Sequence, residues 1–232
     1  MTHTDFYMGE EVINFQQKCP VVFLLDTSGS MAGPRIDELN RGLQIFLSDS
    51  QDDATLLARL DLAIIAFNDR EHLDHDFTIL QEYSQMPILT AGGTTNLEAG
   101  MKHAIDLLIA RKEWYRSTNQ TYYRPYIVLI TDGQPDQNPG NTGLTARIKS
   151  EVNNKSFNFW AFGVDGANMQ VLDSMACPGV GGSLPAMRLE GTKLTELFQW
   201  LSASFSKVSG SKDGQGIDMT PEKDKNPFMI TV

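Results

Sequence analysis

Cysteine is scarce in this chain. Its 232 residues hold two, Cys19 and Cys177, which are too far apart to form a CxxC pair. That excludes a disulfide framework and a paired-cysteine metal or redox motif. Two reduced thiols in a reducing compartment are the expectation. Basic charge is also short: 19 Lys and Arg stand against 29 Asp and Glu, a net charge of -10. Such a field opposes nucleic acid and anionic membrane and attracts a divalent cation. It also repels an acidic partner at long range, so any contact with one must be driven locally. No apolar run approaches the ~20 residues that span a bilayer. The first residues, MTHTDFYMGEEVINF, lack the basic and then apolar order of a signal peptide. A cytoplasmic protein with no membrane or nucleic-acid partner is expected.

What is present is a core. Hydrophobic residues make up 41% of the chain, too many for a disordered sequence. The runs VVFLL (21–25), LAIIAF (62–67), 127–130 and 157–162 read as buried strands. A short edge strand is expected over 77–80 and a last strand over 187–189. Apolar residues at helical spacing predict helices over 34–50, 96–113, 142–152, 169–175 and 194–205. Strands apolar on both faces, alternating with helices, predict an α/β fold: a Rossmann-like, mostly parallel sheet with helices on both faces. After Val208 the composition turns to Gly, Lys, Asp and Glu. The expected organisation is an N-terminal extension over 1–17, one domain over 18–208 and a polar tail over 209–232. The final PFMITV is apolar again and suits docking on the domain or adding a strand to a sheet edge.

Three loops concentrate oxygen ligands. PVVFLLDTSGSM ends an apolar run in Asp26, Ser28 and Ser30; AGGTTNLEAG carries Thr95; IVLITDGQP ends another apolar run at Asp132. In an open α/β sheet, loops at the carboxyl ends of neighbouring strands meet in one crevice. An all-oxygen set of two carboxylates and three hydroxyls suits Mg²⁺, with Mn²⁺ or Ca²⁺ as alternatives. It leaves the ion underneutralised, so a carboxylate from a partner protein is a natural further ligand. Taken singly, each loop has a plainer explanation. Asp26, Ser28 and Ser30 suit a helix cap, Thr95 suits a cap on the helix near Asn96, and Asp132 suits an Asx turn.

DTSGS, GGTTNLEAG and ITDG together resemble the metal-ion-dependent adhesion site of the von Willebrand factor A domain family. The family's loop threonine precedes a glycine by five positions, which selects Thr95, before Gly100, over Thr94. All five positions are present: Asp26, Ser28, Ser30, Thr95 and Asp132. The resemblance covers about 18–208, and YYRPYIVLITDGQP and FGVDGANMQVLDSMA look most like its bacterial TerY-like, tellurite-resistance-associated branch. It implies a metal on the upper edge of the sheet, shared with an acidic residue of a partner. It also implies a module that binds rather than catalyses, in a bacterial stress-response complex. The alternative is a Mg²⁺-dependent phosphohydrolase with Asp26 as nucleophile, although Ser28 stands where such enzymes place a second acid.

Three further segments attract notice. EHLDHD, with His72, Asp74, His75 and Asp76, offers a loose second metal set but reads as a polar loop. RKEWYRSTNQTYYRPY mixes Arg111, Lys112, Arg116 and Arg124 with Trp114, Tyr115, Tyr122, Tyr123 and Tyr126. It suits packing under a connection, a protein contact or single-stranded nucleic acid. CPGVGGSLP lacks the Lys-Ser/Thr ending of a phosphate loop and reads as a connection.

Overall fold

The structure is a computed structural model that describes residues 7, 9–132, 134–189 and 193–211 together with the backbone of 229–230. The chain runs β1 (Cys19–Asp26), α1 (Pro34–Ser50), α2 (Ala54–Arg59), β2 (Leu60–Phe67), β3 (Glu71–Ile79) and α3 (Leu97–Ser117). It continues with β4 (Tyr126–Thr131), α4 (Leu144–Asn153), β5 (Asn158–Gly163), α5 (Met169–Met175), β6 (Met187–Leu189), α6 (Leu194–Gly210) and β7 (Met229–Ile230). One seven-stranded sheet has the order β3-β2-β1-β4-β5-β6-β7. β2, β1, β4, β5 and β6 pair in parallel, and β3 and β7 close the two edges antiparallel. β7 falls within PFMITV, so part of that segment adds a strand to the sheet edge; most of the rest of the expected tail, 212–228, lies outside the described residues.

The period-two pattern of the strands builds two cores. Val21, Phe23 and Leu25 face α1, α2 and α6, where Leu39, Phe46, Leu56, Phe198 and Phe205 are buried with them. Val22 and Leu24 face α3, α4 and α5, with Met101, Leu108, Ile148 and Leu172. The result is the three-layer α/β arrangement that the continuous apolar runs imply.

Two elements depart from the sequence reading. α2 is a six-residue helix that Asp53 caps by accepting from the amides of Thr55 and Leu56, both at 3.0 Å. EHLDHD is not a loop but most of β3, paired antiparallel with β2 with register shifts near Ile64. An edge strand covered on one side needs few apolar residues, and here Phe77 and Ile79 supply the buried ones. Its polar residues scatter. His75 stacks on Tyr83, Asp76 accepts from Tyr7 at 2.8 Å, and Asp74 accepts from the Ala66 amide at 3.1 Å.

The basic and aromatic segment is largely internal. Arg111 is 1% exposed. Its Nε donates to Asp61 Oδ2 at 2.7 Å and its Nη1 to Glu10 Oε2 at 2.5 Å. Its guanidinium lies 4.1 Å from the Trp114 ring centroid and 4.8 Å from that of Tyr7. Tyr115 also donates to Asp61. Arg124 donates to the carbonyls of Val152 and Phe157. These two cations are thus used inside the fold.

Gly100 explains the threonine-to-glycine spacing in physical terms. A Cβ there would lie 2.9 Å from Phe67 Cβ and 3.2 Å from Leu24 Cδ1. The bare backbone lets the first turn of α3 lie against β1 and β2, and so holds the preceding loop at the sheet end. Gly100→Ala is expected to destabilise by about 1–3 kcal/mol despite the better helix propensity of alanine. Urea denaturation checks this; an unchanged midpoint would contradict it.

Candidate metal centre at the carboxyl ends of β1 and β4

The chain leaves β1 toward β2 on one side and returns to β4 on the other, which makes the β1/β4 boundary a topological switch point. Asp26 ends β1. It is fully buried, and both of its oxygens accept hydrogen bonds: Oδ1 from the Ser28 amide at 2.8 Å and Oδ2 from Thr131 Oγ1 at 2.5 Å. Burial pushes its carboxyl above the usual range, the bonds from Thr131 and Ser28 oppose that, and the charge of neighbouring Asp132 adds to it. Ser28 is buried and Ser30 exposed, and their hydroxyls meet at 3.0 Å. Neither serine nor Asp26 caps α1. Gly33, with φ 76°, occupies that position and carries no side-chain cap.

The second loop is woven onto the first. The Gly92 amide donates to Thr27 O at 2.8 Å, and the Gly29 amide to Gly93 O at 3.0 Å. Gly93, with φ 76°, has no room for a side chain, since a Cβ would meet Asp69 Oδ1 at 2.7 Å. Thr95 is buried and Thr94 exposed. The cap of α3 is Asn96, which accepts from the Ala99 amide at 3.1 Å, so Thr95 is free of that task.

The third loop begins at Asp132, 2% exposed. Its Oδ1 accepts from the Gln134 amide at 3.2 Å, an Asx-type turn. Its Oδ2 is buried and has no hydrogen-bond partner. A buried carboxylate oxygen left bare costs free energy unless a cation or water answers it. A hard cation fits this donor set of hydroxyls and carboxylates. Among the described residues no three His, Cys, Asp or Glu side chains cluster, so a thiolate, imidazole or carboxylate-rich site is not on offer.

Three residues that the motif does not name hold these loops together. Asp136 accepts from the Thr95 amide at 3.1 Å through Oδ1, and its own amide donates to Thr95 O at 2.9 Å. This reciprocal pair ties the second loop to the third. Arg35 donates to Ser30 O at 2.8 Å and to Asp165 O at 2.9 Å, which ties the first loop to the one after β5. Thr131 orients Asp26. Of these, only Thr131 lay beside a motif residue in sequence; Asp136 and Arg35 carried no local signal.

The model of the von Willebrand factor type A domain family matches residues 21–198. No curated protein matches the chain. Solved structures with the same fold include the von Willebrand factor type A protein of Catenulispora acidiphila (TM-score 0.59, 15% identity, 82% of this chain and 43% of that one). The PilB minor pilin of Streptococcus sanguinis gives a TM-score of 0.58 at 16% identity over 87% of this chain and 65% of that one. The pilus adhesin SpaC of Lactobacillus rhamnosus GG, in its open conformation, gives 0.64 at 14% identity over 84% and 31%. This chain therefore spans less than two thirds of each of these proteins, and the likeness concerns the fold. No helix among the described residues is long and apolar enough to cross a membrane. The family match and the switch-point sheet agree, and the chain belongs to the von Willebrand factor type A domain family.

Proposed function

We propose that this chain is a metal-dependent protein-interaction module. Ser28, Ser30 and Thr95, with Asp26 and Asp132, would hold a Mg²⁺ ion, and a carboxylate of a partner protein would complete its ligands. The observation that carries this reading is the bare, buried Oδ2 of Asp132, beside a second buried carboxylate. When bound, the cation would supply a positive charge with a position open to the partner's acid. The chain's own residues do the rest: Thr131 and the Ser28 amide orient Asp26, Asp136 fixes the Thr95 loop, and Arg35 anchors the Ser30 loop. The sequence stretches that resemble TerY-like proteins support a place in a bacterial stress-response complex in the cytoplasm.

The hydrolase alternative is less well supported. Both oxygens of Asp26 are already engaged and the residue is fully buried, a poor setting for a nucleophile that must meet a phosphoryl group in line.

The test is capture by the immobilised protein. An acid-bearing partner should be retained in Mg²⁺, released by EDTA and lost with Asp26→Ala, while circular dichroism shows the fold kept. Capture that persists unchanged in EDTA overturns the reading. Asp136→Ala should weaken metal affinity roughly 2–10-fold, the value of one net hydrogen bond, and Asp136→Asn, which keeps the acceptor, should restore most of it. Isothermal titration with Mn²⁺ checks both; equal affinities in all three proteins would refute a positioning role for Asp136.

A further inference from the structure

A cavity of about 270 Å³ adjoins the first metal loop. Thr27, between Asp26 and Ser28, forms part of its wall, and the end of β2, the turn after it, β3 and the 88–90 segment form the rest. It lies just below the ~300–1,000 Å³ range of small-molecule pockets, a size suited to one side chain. Its lining holds one carboxylate, Asp74, together with Arg70 and the exposed imidazole of His72. Asp74 is half-buried and donates nothing; one oxygen accepts from the Ala66 amide at 3.1 Å, and the other has no hydrogen bond among the described residues. No cation pairs with Asp74 within ion-pair distance in the described residues. Arg70, also on the lining, is 81% exposed and sits 3.5 Å from Asp69, so solvent and that neighbour screen its charge. Ile88, 81% exposed, and Leu89 add an apolar flank. Burial pushes the Asp74 carboxyl above its ordinary range, with His72 opposing.

We infer that this cavity binds a cationic alkyl side chain, of the lysine kind, carried by the partner close to its metal-directed acid: Asp74 takes the ammonium while Ile88 and Leu89 cover the methylene stem. The inference deepens the interaction reading and rests on it for the partner's identity. It also resolves a conflict in the charge balance. A chain of net charge -10 repels an acidic segment, whereas a segment pairing acid with base meets a cation site and an anion site side by side. Two linked contacts then reinforce each other through effective concentration.

The experiment has two arms. In metal-free protein, N-acetyl-lysine-methylamide should shift the Ile88 and Thr90 NMR signals saturably in the millimolar range. N-acetyl-norleucine-methylamide should not, and Asp74→Asn should abolish the response. In Mn²⁺-loaded protein, a short peptide carrying Glu and Lys should bind at least tenfold tighter than its norleucine counterpart, with the difference lost in Asp74→Asn although Mn²⁺ affinity is unchanged. No saturable shift, or equal response in Asp74→Asn, overturns the cation site. Binding of the free amide without any gain for the peptide overturns the partner assignment and points to a small free amine. Failure to bind Mn²⁺ condemns the adhesion reading alone, because the first arm needs no metal.

Discussion

Arg111→Ala is expected to cost about 3–5 kcal/mol, because it strips the buried Asp61 and the more exposed Glu10 of their shared cation. Asp61 is fully buried, already carries one bare oxygen, Oδ1, and would keep only the Tyr115 hydroxyl. Glu10, whose carboxyl burial already pushes up against the pull of Arg111, would lose one of the contacts that hold the N-terminal segment to α3. Four aromatic rings, of Tyr7, Phe77, Trp114 and Tyr115, would also face a void where the guanidinium stood. For a chain of this size the loss corresponds to a fall of roughly 6–20 °C in Tm. Arg111→Lys keeps the charge but not the fork, and should fall between the two. Thermal scans of the three proteins check this; a loss below about 1 kcal/mol for the alanine variant would show the cluster to be energetically idle.

Asp132→Asn is expected to act in opposite directions on stability and on metal binding. In metal-free protein the Asp132 charge is buried, bare at Oδ2 and beside Asp26. Removing that charge relieves repulsion, so the variant should gain about 0.5–2 kcal/mol over wild type without metal. Wild type should then recover about 2.7 kcal/mol at a Mg²⁺ concentration 100 times its Kd, and the variant should recover almost none. The crossing of the two melting curves is the signature of a site that gives up stability for a ligand. A variant less stable than wild type without metal would mean that the carboxylate is structural.

The fold was legible wherever burial imposes a pattern. β1, β2, β4 and β5 are fully buried and show as uninterrupted apolar runs; α1 and α6 show as helical spacing. Of β3 only the end was legible, as the edge strand expected over 77–80; its first part, 71–76, was hidden because it lies at an edge and buries no residue fully. α2 was hidden because six residues do not establish a period. At the site, the sequence marked Asp26 and Asp132, because each closes a buried strand in a short motif, and Thr95, by its spacing to Gly100. It could not mark Asp136 or Arg35, whose roles arise from contacts across 41 and 130 residues of chain. The cavity beside Thr27 was equally invisible, because its walls come from β2, β3 and the 88–90 segment.

Direct titration of the metal-free chain with Mn²⁺ tests the central claim most sharply. The account predicts one ion per chain, with affinity reduced more than tenfold by Thr95→Ala and abolished by Asp132→Asn. Absence of binding, or binding that both variants retain at full strength, would contradict it.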